Sequence, residues 1–404
     1  MHLTAEEQKM LDGAYGETVR RSMKVLVALG EIYGADHMIE VKNVHSPGVS
    51  YRVAGDAGLG YVEDASKDAV FQVPMTLNTI GIDEKDWKQI GFPEDFSCKQ
   101  LELSRAYEKM GAIPTNSCTP YLNGNLPMFG EHVAWGESSA VAFVNSVIGA
   151  RTNREGGPTA LAAAITGRVP AYGYHLDENR KGTHLIRVEV DLKTDKDFAV
   201  LGYFGGKLAG KDVPVFEGIK RRPTLEQFKA LGAALASAGA VALYHVVGFT
   251  PEAPTKQDVI GDEIQPVVFD QAAYDKVCEK FSQKGPIDFV VLGCPHVSIR
   301  EFEEIAGLVR GKRLNSDLWV CTSRMVRELA ERMGFVEDIQ AAGGEIIRDT
   351  CPVLCCTLTQ RGYKTVATNS GKMAHYAPGL WNLQPVLLNT AECIQAAIDG
   401  KWGE

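Results

Sequence analysis

Three cysteines lie where buried strands of the chain are expected to end. Cys294 follows the apolar run 287–292, Cys351 follows the strand-like run 344–350, and Cys118 lies in a third turn of this kind. Open α/β sheets bind their ligands at the carboxyl ends of parallel strands. We therefore expect the three thiols to face one common edge, where they could hold a metal centre.

Three thiolates at one site suit an iron–sulfur cluster that keeps an open iron. Such clusters normally have four cysteine ligands, so three would leave one iron to bind a substrate hydroxyl or carboxylate as a Lewis acid. Elimination of water from a hydroxy acid needs this help, a base for the α-proton, and cations for the anionic group. Two alternatives stay open: a scaffold of buried free thiols, and a zinc hydrolase that adds a histidine such as His296.

The other cysteines leave one ligand assignment open. Cys355 and Cys356 follow Cys351 so closely that spacing does not decide among the three. The position at a strand end favours Cys351. Packing roles are predicted for three cysteines in helix-like or loop segments, namely Cys98, Cys278 and Cys393.

Two polar segments could bind an anion near the thiols. Segment 149–157 combines Arg151, Arg154 and a glycine pair, and a helix is predicted to follow it. The planar fork of arginine matches a carboxylate or phosphate, and the positive end of the helix favours the same charge. Segment 45–58 is rich in serine and glycine, which indicates a loop whose backbone can approach a ligand.

The elements that carry these residues alternate regularly in the carboxyl-terminal part. From residue 286 onward, predicted strands end at Cys294, Thr322, Cys351 and Asn369, and helices follow several of them. This alternation predicts a doubly wound α/β domain that brings polar groups and thiols to one edge.

Breaker residues and changes of pattern suggest the domain boundaries. We predict an amino-terminal helical and loop region at 1–112, an α/β domain at 113–250, and a doubly wound α/β domain at 266–404. Pro251, Pro254 and Gly261 predict a linker at 251–265.

Composition excludes several classes of protein. The chain has 404 residues, of which 45% are hydrophobic, and a net charge of −9. This charge argues against a nucleic-acid or anionic-membrane surface. We find neither a signal-peptide layout nor an apolar run of the roughly 20 residues that span a bilayer. Nine irregularly spaced cysteines indicate free thiols in a reducing compartment, and we expect a cytoplasmic protein.

Longer motifs carry a resemblance to a known family. The chain resembles the large, catalytic part of the aconitase X family, a branch of the aconitase superfamily, over nearly its whole length. Segment 145–157 is long enough to be specific. The other carriers of the resemblance are segments 48–51, 55–58, 117–121, 135–141, 293–296, 349–352, 367–370 and 374–376.

The resemblance implies a fold, a cofactor and a reaction. It implies an aconitase-like protein of three α/β domains with mostly parallel, doubly wound sheets. The cofactor would be an iron–sulfur cluster, [4Fe–4S] or smaller, or a single iron, held by Cys118, Cys294 and Cys351. The reaction would be that of a hydro-lyase acting on a small hydroxy acid. Of the two activities known in the family, we favour dehydration of cis-3-hydroxy-L-proline, with dehydration of mevalonate 5-phosphate as the alternative.

The resemblance also implies a partner subunit. Enzymes of the superfamily carry a fourth, swivelling domain whose serine is expected to be the general base. Only one helix is predicted after Asn389 here. We therefore expect that domain on a separate small subunit, in a heterodimer.

These arguments together select the candidate site residues. The candidate catalytic residues are Glu137, Ser138, His296 and Lys372. The candidate substrate-binding residues are Gly48, Ser50, Tyr51, Asn145, Arg151, Thr152, Asn153, Arg154, Thr322, Asn369 and Ser370. The candidate metal ligands are Cys118, Cys294 and Cys351.

Overall fold

The amino-terminal part of the chain forms a small parallel sheet covered by helices. The computed structural model describes residues 1–403, except for the side chain at position 359. The strands of this part are β1 (Met38–Glu40), β2 (Val44–Ser46), β3 (Met75–Leu77), β4 (Ala134–Trp135) and β5 (Arg168–Pro170). The helices are α1 (Ala5–Asp12), α2 (Glu17–Tyr33), α3 (Tyr51–Ala65), α4 (Trp87–Ile90), α5 (Glu94–Lys109), α6 (Ser138–Phe143) and α7 (Gly157–Thr166). Strands β3, β2 and β4 pair in parallel in this order, and β1 pairs with β5 antiparallel.

The middle part of the chain forms a four-stranded parallel sheet. Its order is β8-β7-β6-β9, and helices α8 and α9 pack closely against each other beside it. The strands are β6 (His184–Val188), β7 (Pro214–Glu217), β8 (His245–Val246) and β9 (Pro266–Phe269). The helices are α8 (Asp195–Ala209), α9 (Leu225–Ala238) and α10 (Gln271–Glu279).

The carboxyl-terminal part is the predicted doubly wound domain. Its parallel sheet has the order β13-β12-β11-β14-β15, so the winding direction reverses between β11 and β14. Ligands bind at such a reversal, outside the carboxyl ends of the strands. The strands are β10 (Gly285–Pro286), β11 (Phe289–Leu292), β12 (Asp317–Thr322), β13 (Glu345–Arg348), β14 (Thr365–Thr368), β15 (Gln384–Leu387) and β16 (Lys401–Trp402). The helices are α11 (Ile299–Val309), α12 (Arg324–Arg332), α13 (Phe335–Ala342), α14 (Gly371–Trp381) and α15 (Thr390–Asp399).

Alternating side chains place the third sheet between two cores. Phe289 and Val291 pack into a core shared with the amino-terminal part, whereas Val290 and Leu292 pack under α11 and α15. Successive side chains of a strand point to opposite faces, so a strand buried on both faces reads as a continuous apolar run. The amino-terminal part therefore packs against one face of the third sheet. No helix in the described residues is long and apolar enough to cross a membrane.

The sheets divide the chain at other points than the predicted domain boundaries. Strand β4 lies after residue 113 but pairs with β2, and β8 and β9 lie on either side of segment 251–265 within one sheet. Breaker residues mark the loop between β8 and β9, and sequence alone does not distinguish such a loop from a linker.

A buried ion pair joins the amino-terminal part to the third sheet. Asp83 is fully buried and accepts two side-chain hydrogen bonds from Arg348, at 3.0 Å from Nε and 2.9 Å from Nη2. The backbone N–H of Arg348 adds a third at 2.9 Å. The pair ties the loop after β3 to the end of β13, one residue before the turn that leads to Cys351.

Removal of this carboxylate should destabilise the protein. We expect Asp83→Ala to lower the free energy of unfolding by about 3 kcal/mol, because Arg348 keeps a buried charge without its main partner. Urea unfolding followed by tryptophan fluorescence measures the change. Asp338→Ala, which removes the surface pair with Arg310, is the control and should cost less than about 1 kcal/mol. Equal losses for the two variants would contradict this account of the contact.

Candidate active site

One cavity brings the three predicted thiols together. Cys118, Cys294 and Cys351 all line a cavity of about 270 Å³ that opens at the carboxyl edge of the third sheet. Cys294 follows β11, and Cys351 follows β13. Cys118 enters from the amino-terminal part, in the turn before the short helix Pro120–Leu122. Cys294 and Cys351 therefore lie at the expected edge of one sheet, whereas Cys118 follows no strand and reaches the same cavity from another part of the chain.

The turn after β11 requires glycine before the cysteine. Gly293 has φ +102°, and a Cβ at this position would collide with the carbonyl oxygen of Cys321 on the neighbouring strand. Only glycine combines this backbone conformation with so close an approach. The hydroxyl of Ser370 then donates a hydrogen bond to the carbonyl oxygen of Cys294. These contacts fix the direction in which Cys294 leaves the sheet.

Burial dominates the electrostatics of the thiols. It raises the pKa of Cys294 to about 12, and it also raises the pKa of Cys118 and Cys351. The ammonium of Lys372 opposes this rise at all three positions. A thiolate in this cavity consequently needs a positive partner. In the described part of the chain, no three His, Cys, Asp or Glu side chains meet closely enough to hold a single ion.

A buried ion pair lines the same cavity. Lys372 Nζ donates to Glu137 Oε1 at 2.5 Å and to Ser138 Oγ at 3.1 Å. Burial disfavours the charged forms of both residues, but their mutual attraction and the hydrogen bonds to Glu137 outweigh it. The pKa of Glu137 consequently falls to about 2, and the pKa of Lys372 rises. Both side chains are charged at neutral pH.

Local structure explains how the pair is held. Glu137 directly precedes α6, and its carboxylate accepts hydrogen bonds from the backbone and the hydroxyl of Ser139, at 3.4 and 3.1 Å. Lys372 lies in the first turn of α14, whose start is capped by Ser370. The side chain of Asn78, which follows β3, donates to Glu137 Oε2 at 2.9 Å. Three chain segments thus converge on one carboxylate.

The structure places His296 behind the cavity and not in its lining. The residue is fully buried, and burial lowers its pKa to about 4. Its Nε2 lies 3.0 Å from the carbonyl oxygen of Thr350, and its Nδ1 lies 3.2 Å from Ser117 Oγ. Both ring nitrogens are therefore occupied by contacts within the protein, which does not suit the predicted catalytic role.

The buried polar residues of segment 145–157 bind backbone groups. The Asn145 side chain donates to the carbonyl oxygens of Thr152 and Ala242, both at 2.9 Å. Thr152 Oγ1 accepts from the backbone N–H of Trp135 at 2.9 Å. Asn153 donates to Tyr172 O at 3.1 Å. These three residues, predicted to bind substrate, are not among the residues that line the thiol cavity.

The structure separates the two arginines of this segment. Arg151 pairs with Asp177 and donates to His175 O at 3.1 Å, and it lines a different cavity. The exposed Arg154 donates to the carbonyl oxygen of Val241 at 3.4 Å. The two arginines therefore contact different parts of the chain, and neither is among the residues that line the thiol cavity.

The other predicted binding residues lie at varying distances from the thiols. Asn369 and Ser370 border a small pocket behind the Cys294 turn, and Thr322 Oγ1 donates to Val297 O at 3.2 Å. Gly48 borders a separate cavity beside α3. Ser50 and Tyr51, at the start of α3, are not among the lining residues of the thiol cavity. Ser50 is buried, and the hydroxyl of Tyr51 donates to Asp56 at 2.9 Å.

Some residues in or beside the lining were not among the predicted site residues. Asn78 and Thr79 follow β3, and Tyr376 lies one turn after Lys372 on α14. Thr79 and Tyr376 line the cavity directly. A polar residue at a strand end was a usable signal for Asn78, whereas Tyr376 requires knowledge of which face of α14 meets the thiols.

The rival cysteines do not line the cavity. Cys355 is buried with its Sγ 3.0 Å from Thr357 Oγ1, and the neighbouring Cys356 is half-buried.

A larger cavity, of about 650 Å³, lies between segment 222–226 and the starts of α11 and α12. It is lined by arginine, leucine and methionine side chains and contains no thiol.

Comparisons with known proteins agree with this geometry. Family models described as the first, second and third domains of aconitase X match residues 1–178, 182–279 and 287–399. The chain belongs to the aconitase X family. Its three domains accordingly follow the three main sheets of the structure.

Relatives within the aconitase X family differ in their identity to this chain and in the share of their own length that it covers. The phosphomevalonate dehydratase large subunit of Methanocaldococcus jannaschii is 45% identical, with 98% of this chain and 100% of the relative covered. The cis-3-hydroxy-L-proline dehydratase of Pseudomonas aeruginosa is 37% identical, with 99% and 70% covered. A crystal structure of Thermococcus kodakaraensis aconitase X in its holo-form superposes with a TM-score of 0.90 at 43% identity, covering 98% of this chain and 100% of that one.

The ion pair at the cavity should give a characteristic dependence of stability on pH. Because the pKa of folded Glu137 is depressed from 4.5 to about 2, its charge stabilises the fold above pH 4.5, and this contribution is lost as the pH falls towards 2. Glu137→Gln should therefore be less stable than the parent at neutral pH, and the difference should shrink below pH 4.5.

Urea unfolding at several pH values from about 7 down to about 3 tests this prediction. Glu303→Gln, which neutralises an exposed carboxylate on α11, is the control. A difference between parent and Glu137→Gln that stays constant over the whole range would contradict the depressed pKa.

Proposed function

We propose that this chain is the large, catalytic subunit of a phosphomevalonate dehydratase, a hydro-lyase that removes water from mevalonate 5-phosphate. The observation that carries the proposal is the cavity in which three thiols from separate turns face a buried Glu137–Lys372 pair. Family membership supplies the reaction class, because the curated relatives are named as dehydratases.

The comparisons favour this substrate over cis-3-hydroxy-L-proline, the substrate that we favoured from the sequence. The phosphomevalonate relatives of Methanocaldococcus jannaschii and Methanothermobacter thermautotrophicus are 45% and 46% identical and are covered over 100% and 96% of their length. The hydroxyproline relative of Pseudomonas aeruginosa is 37% identical and is covered over only 70%. Both identity and length thus support the alternative substrate.

Two exposed arginines near the cavity suit a phosphate group. The charge of Glu137, which lines the cavity, favours the charged form of Arg154. Arg52 stacks over Trp381, with 4.2 Å from its Cζ to the ring centroid, and Trp381 directly follows the lining residue Leu380. Guanidinium groups bind phosphate through paired hydrogen bonds. A hydroxyproline ring, with one carboxylate and an ammonium, would not need both cations.

The donor set fits an iron–sulfur cluster. Cys118, Cys294 and Cys351 would hold it, because their sulfurs surround a cavity large enough for a group of several atoms. When bound, a cluster with one iron free of protein ligands supplies Lewis acidity at a substrate hydroxyl. The thiols come from three separate turns, so the cavity forms only in the folded chain.

The residues of this chain bind and orient the substrate. Two of the three N–H groups of Lys372 bind Glu137 and Ser138, which leaves one to bind a substrate oxygen. Glu137 keeps Lys372 charged inside the cavity. The apolar lining residues Val353, Leu354 and Leu380 exclude water around the carbon skeleton.

A separate small subunit would complete the site. The name of the Methanocaldococcus jannaschii relative identifies it as a large subunit, which implies a smaller partner for that enzyme. We propose the same heterodimer here, with the swivelling domain and its general base on the partner. All nine cysteines are free thiols, which supports a reducing compartment such as the cytoplasm.

The geometry does not favour the zinc hydrolase. That alternative needs a histidine nitrogen as the fourth ligand, and both ring nitrogens of His296 already make hydrogen bonds within the protein. Purified protein that contained zinc in place of iron would favour the zinc hydrolase.

Substitution of single cysteines should identify the ligands. We expect Cys118→Ser, Cys294→Ser and Cys351→Ser each to reduce bound iron by at least about tenfold, because each removes a thiolate from the cavity. Cys355→Ser and Cys356→Ser should retain the iron of the parent. Iron and sulfide are measured per chain after anaerobic reconstitution. If Cys355→Ser lost its iron while Cys351→Ser retained it, the third ligand would be Cys355 and not Cys351.

The substrate and the partner are tested in one assay. With a cognate small subunit and iron reconstituted anaerobically, we expect kcat/KM for mevalonate 5-phosphate to exceed that for cis-3-hydroxy-L-proline by at least about 100-fold. The large chain alone should be slower by about 100-fold or more, since it lacks the general base. Undiminished turnover by the isolated chain would refute the heterodimer, and a preference for hydroxyproline would refute the substrate.

A further inference from the structure

We propose that His296 is a positioning residue that holds the three thiol-bearing turns in one arrangement. It lies two residues after Cys294, and it contacts the residues that directly precede Cys118 and Cys351. It acts through the cysteines and does not itself touch the substrate. The inference rests on the proposed function, because it takes the three cysteines to be ligands of an iron centre.

The ring of His296 joins two turns to its own. Thr350 O can only accept a hydrogen bond, so the proton lies on Nε2, 3.0 Å away. Nδ1 of the neutral ring then accepts from the hydroxyl of Ser117 at 3.2 Å. Ser117 precedes Cys118, and Thr350 precedes Cys351. The imidazole of His296, in the turn after β11, therefore bridges the two other turns, which carry Cys118 and Cys351.

The backbone of His296 adds a direct contact to a thiol. Its N–H lies 3.2 Å from Cys118 Sγ, with the donor directed at the sulfur. Such a bond stabilises a thiolate, and it also fixes the rotamer of the cysteine. Each of the three cysteine turns is thus linked to this one residue, by covalent connection or by hydrogen bonds.

A buried lysine fixes the other side of the same turn. Lys229 Nζ donates to His296 O at 2.9 Å and pairs with Glu301, both charged groups being almost fully buried. Glu301 in turn accepts from the backbone N–H of Ser298 at 2.7 Å. A buried pair of this kind is costly unless its geometry is well satisfied. Here it anchors the histidine turn to α9 of the middle domain.

Histidine is the side chain that suits this position. Its two nitrogens point in different directions from a rigid ring, so a single residue can donate to one turn and accept from another. Glutamine can reproduce the donor at the ε position, and asparagine can reproduce the contact at the δ position. Neither reproduces both contacts. Alanine removes both, which gives a graded series of variants.

The test measures iron binding in this series. We expect His296→Ala to bind iron about 10- to 100-fold more weakly than the parent, since it removes an outer support of the ligands. His296→Gln and His296→Asn should each recover part of the affinity. The matched control is His245→Ala, which deletes a similarly buried histidine. Within the described residues its ring makes one hydrogen bond, to Arg180 O at 2.7 Å. It should retain iron to within about twofold of the parent.

A second readout needs no metal. In the metal-free protein, alkylation of Cys118 and Cys351 by iodoacetamide, mapped by mass spectrometry, should be about tenfold faster in His296→Ala, because the turns open more often. Cys393, buried in a distant core, serves as the internal reference and should not change. If His296→Ala does not fold, Ser117→Ala should shift both readouts in the same direction. This variant removes the δ partner of His296 together with the hydrogen bonds of the same hydroxyl to Thr119 and Asn123.

The outcomes separate the two proposals. If the parent binds no iron, the proposed function fails, and the alkylation rates alone decide the role of His296. If the parent binds iron and His296→Ala binds it equally well with unchanged alkylation, the positioning role is refuted. Equal losses of iron in His296→Ala and His245→Ala would refute it as well, because the effect would then be general to buried histidines.

Discussion

The structure depends on bringing together three turns that are far apart in the sequence. Each turn carries one cysteine, and each leaves its own element at a different point of the fold. The thiol cavity lies at the reversal of winding between β11 and β14, next to the core shared with the amino-terminal part. No local motif could hold three thiols in this way, so the site exists only as a product of the tertiary fold.

The second requirement is a charge pair inside the same cavity. Glu137 and Lys372 are both largely buried, and each is kept ionised by the other. Such a pair is expensive to bury, and hydrophobic residues of similar volume would often be as stable. Its presence beside three thiols therefore points to chemistry more than to stability. The ammonium is also the positive group that the lining thiols need in order to ionise.

Sequence reasoning found the residues at strand ends and missed those whose role depends on long-range contacts. The apolar runs before Cys294 and Cys351 predicted buried strands, and the order of elements predicted the doubly wound sheet. By residue type, the polar residues of segment 145–157 were equally good candidates for a functional site. In the structure, however, Asn145, Thr152 and Asn153 bind backbone groups of other parts of the chain. A hydrogen-bond partner about 100 residues away, such as Ala242 O for Asn145, leaves no local signal. The contacts of His296 with Thr350 and Ser117, residues far away in the sequence, leave no local signal either.

Anomalous diffraction at the iron edge, from anaerobically grown crystals of the reconstituted protein, tests most directly whether the three thiols share one iron-containing group. We expect a single iron peak bounded by the sulfurs of Cys118, Cys294 and Cys351, with one side open towards Lys372. Iron located elsewhere in the chain, with these three sulfurs unliganded, would contradict it.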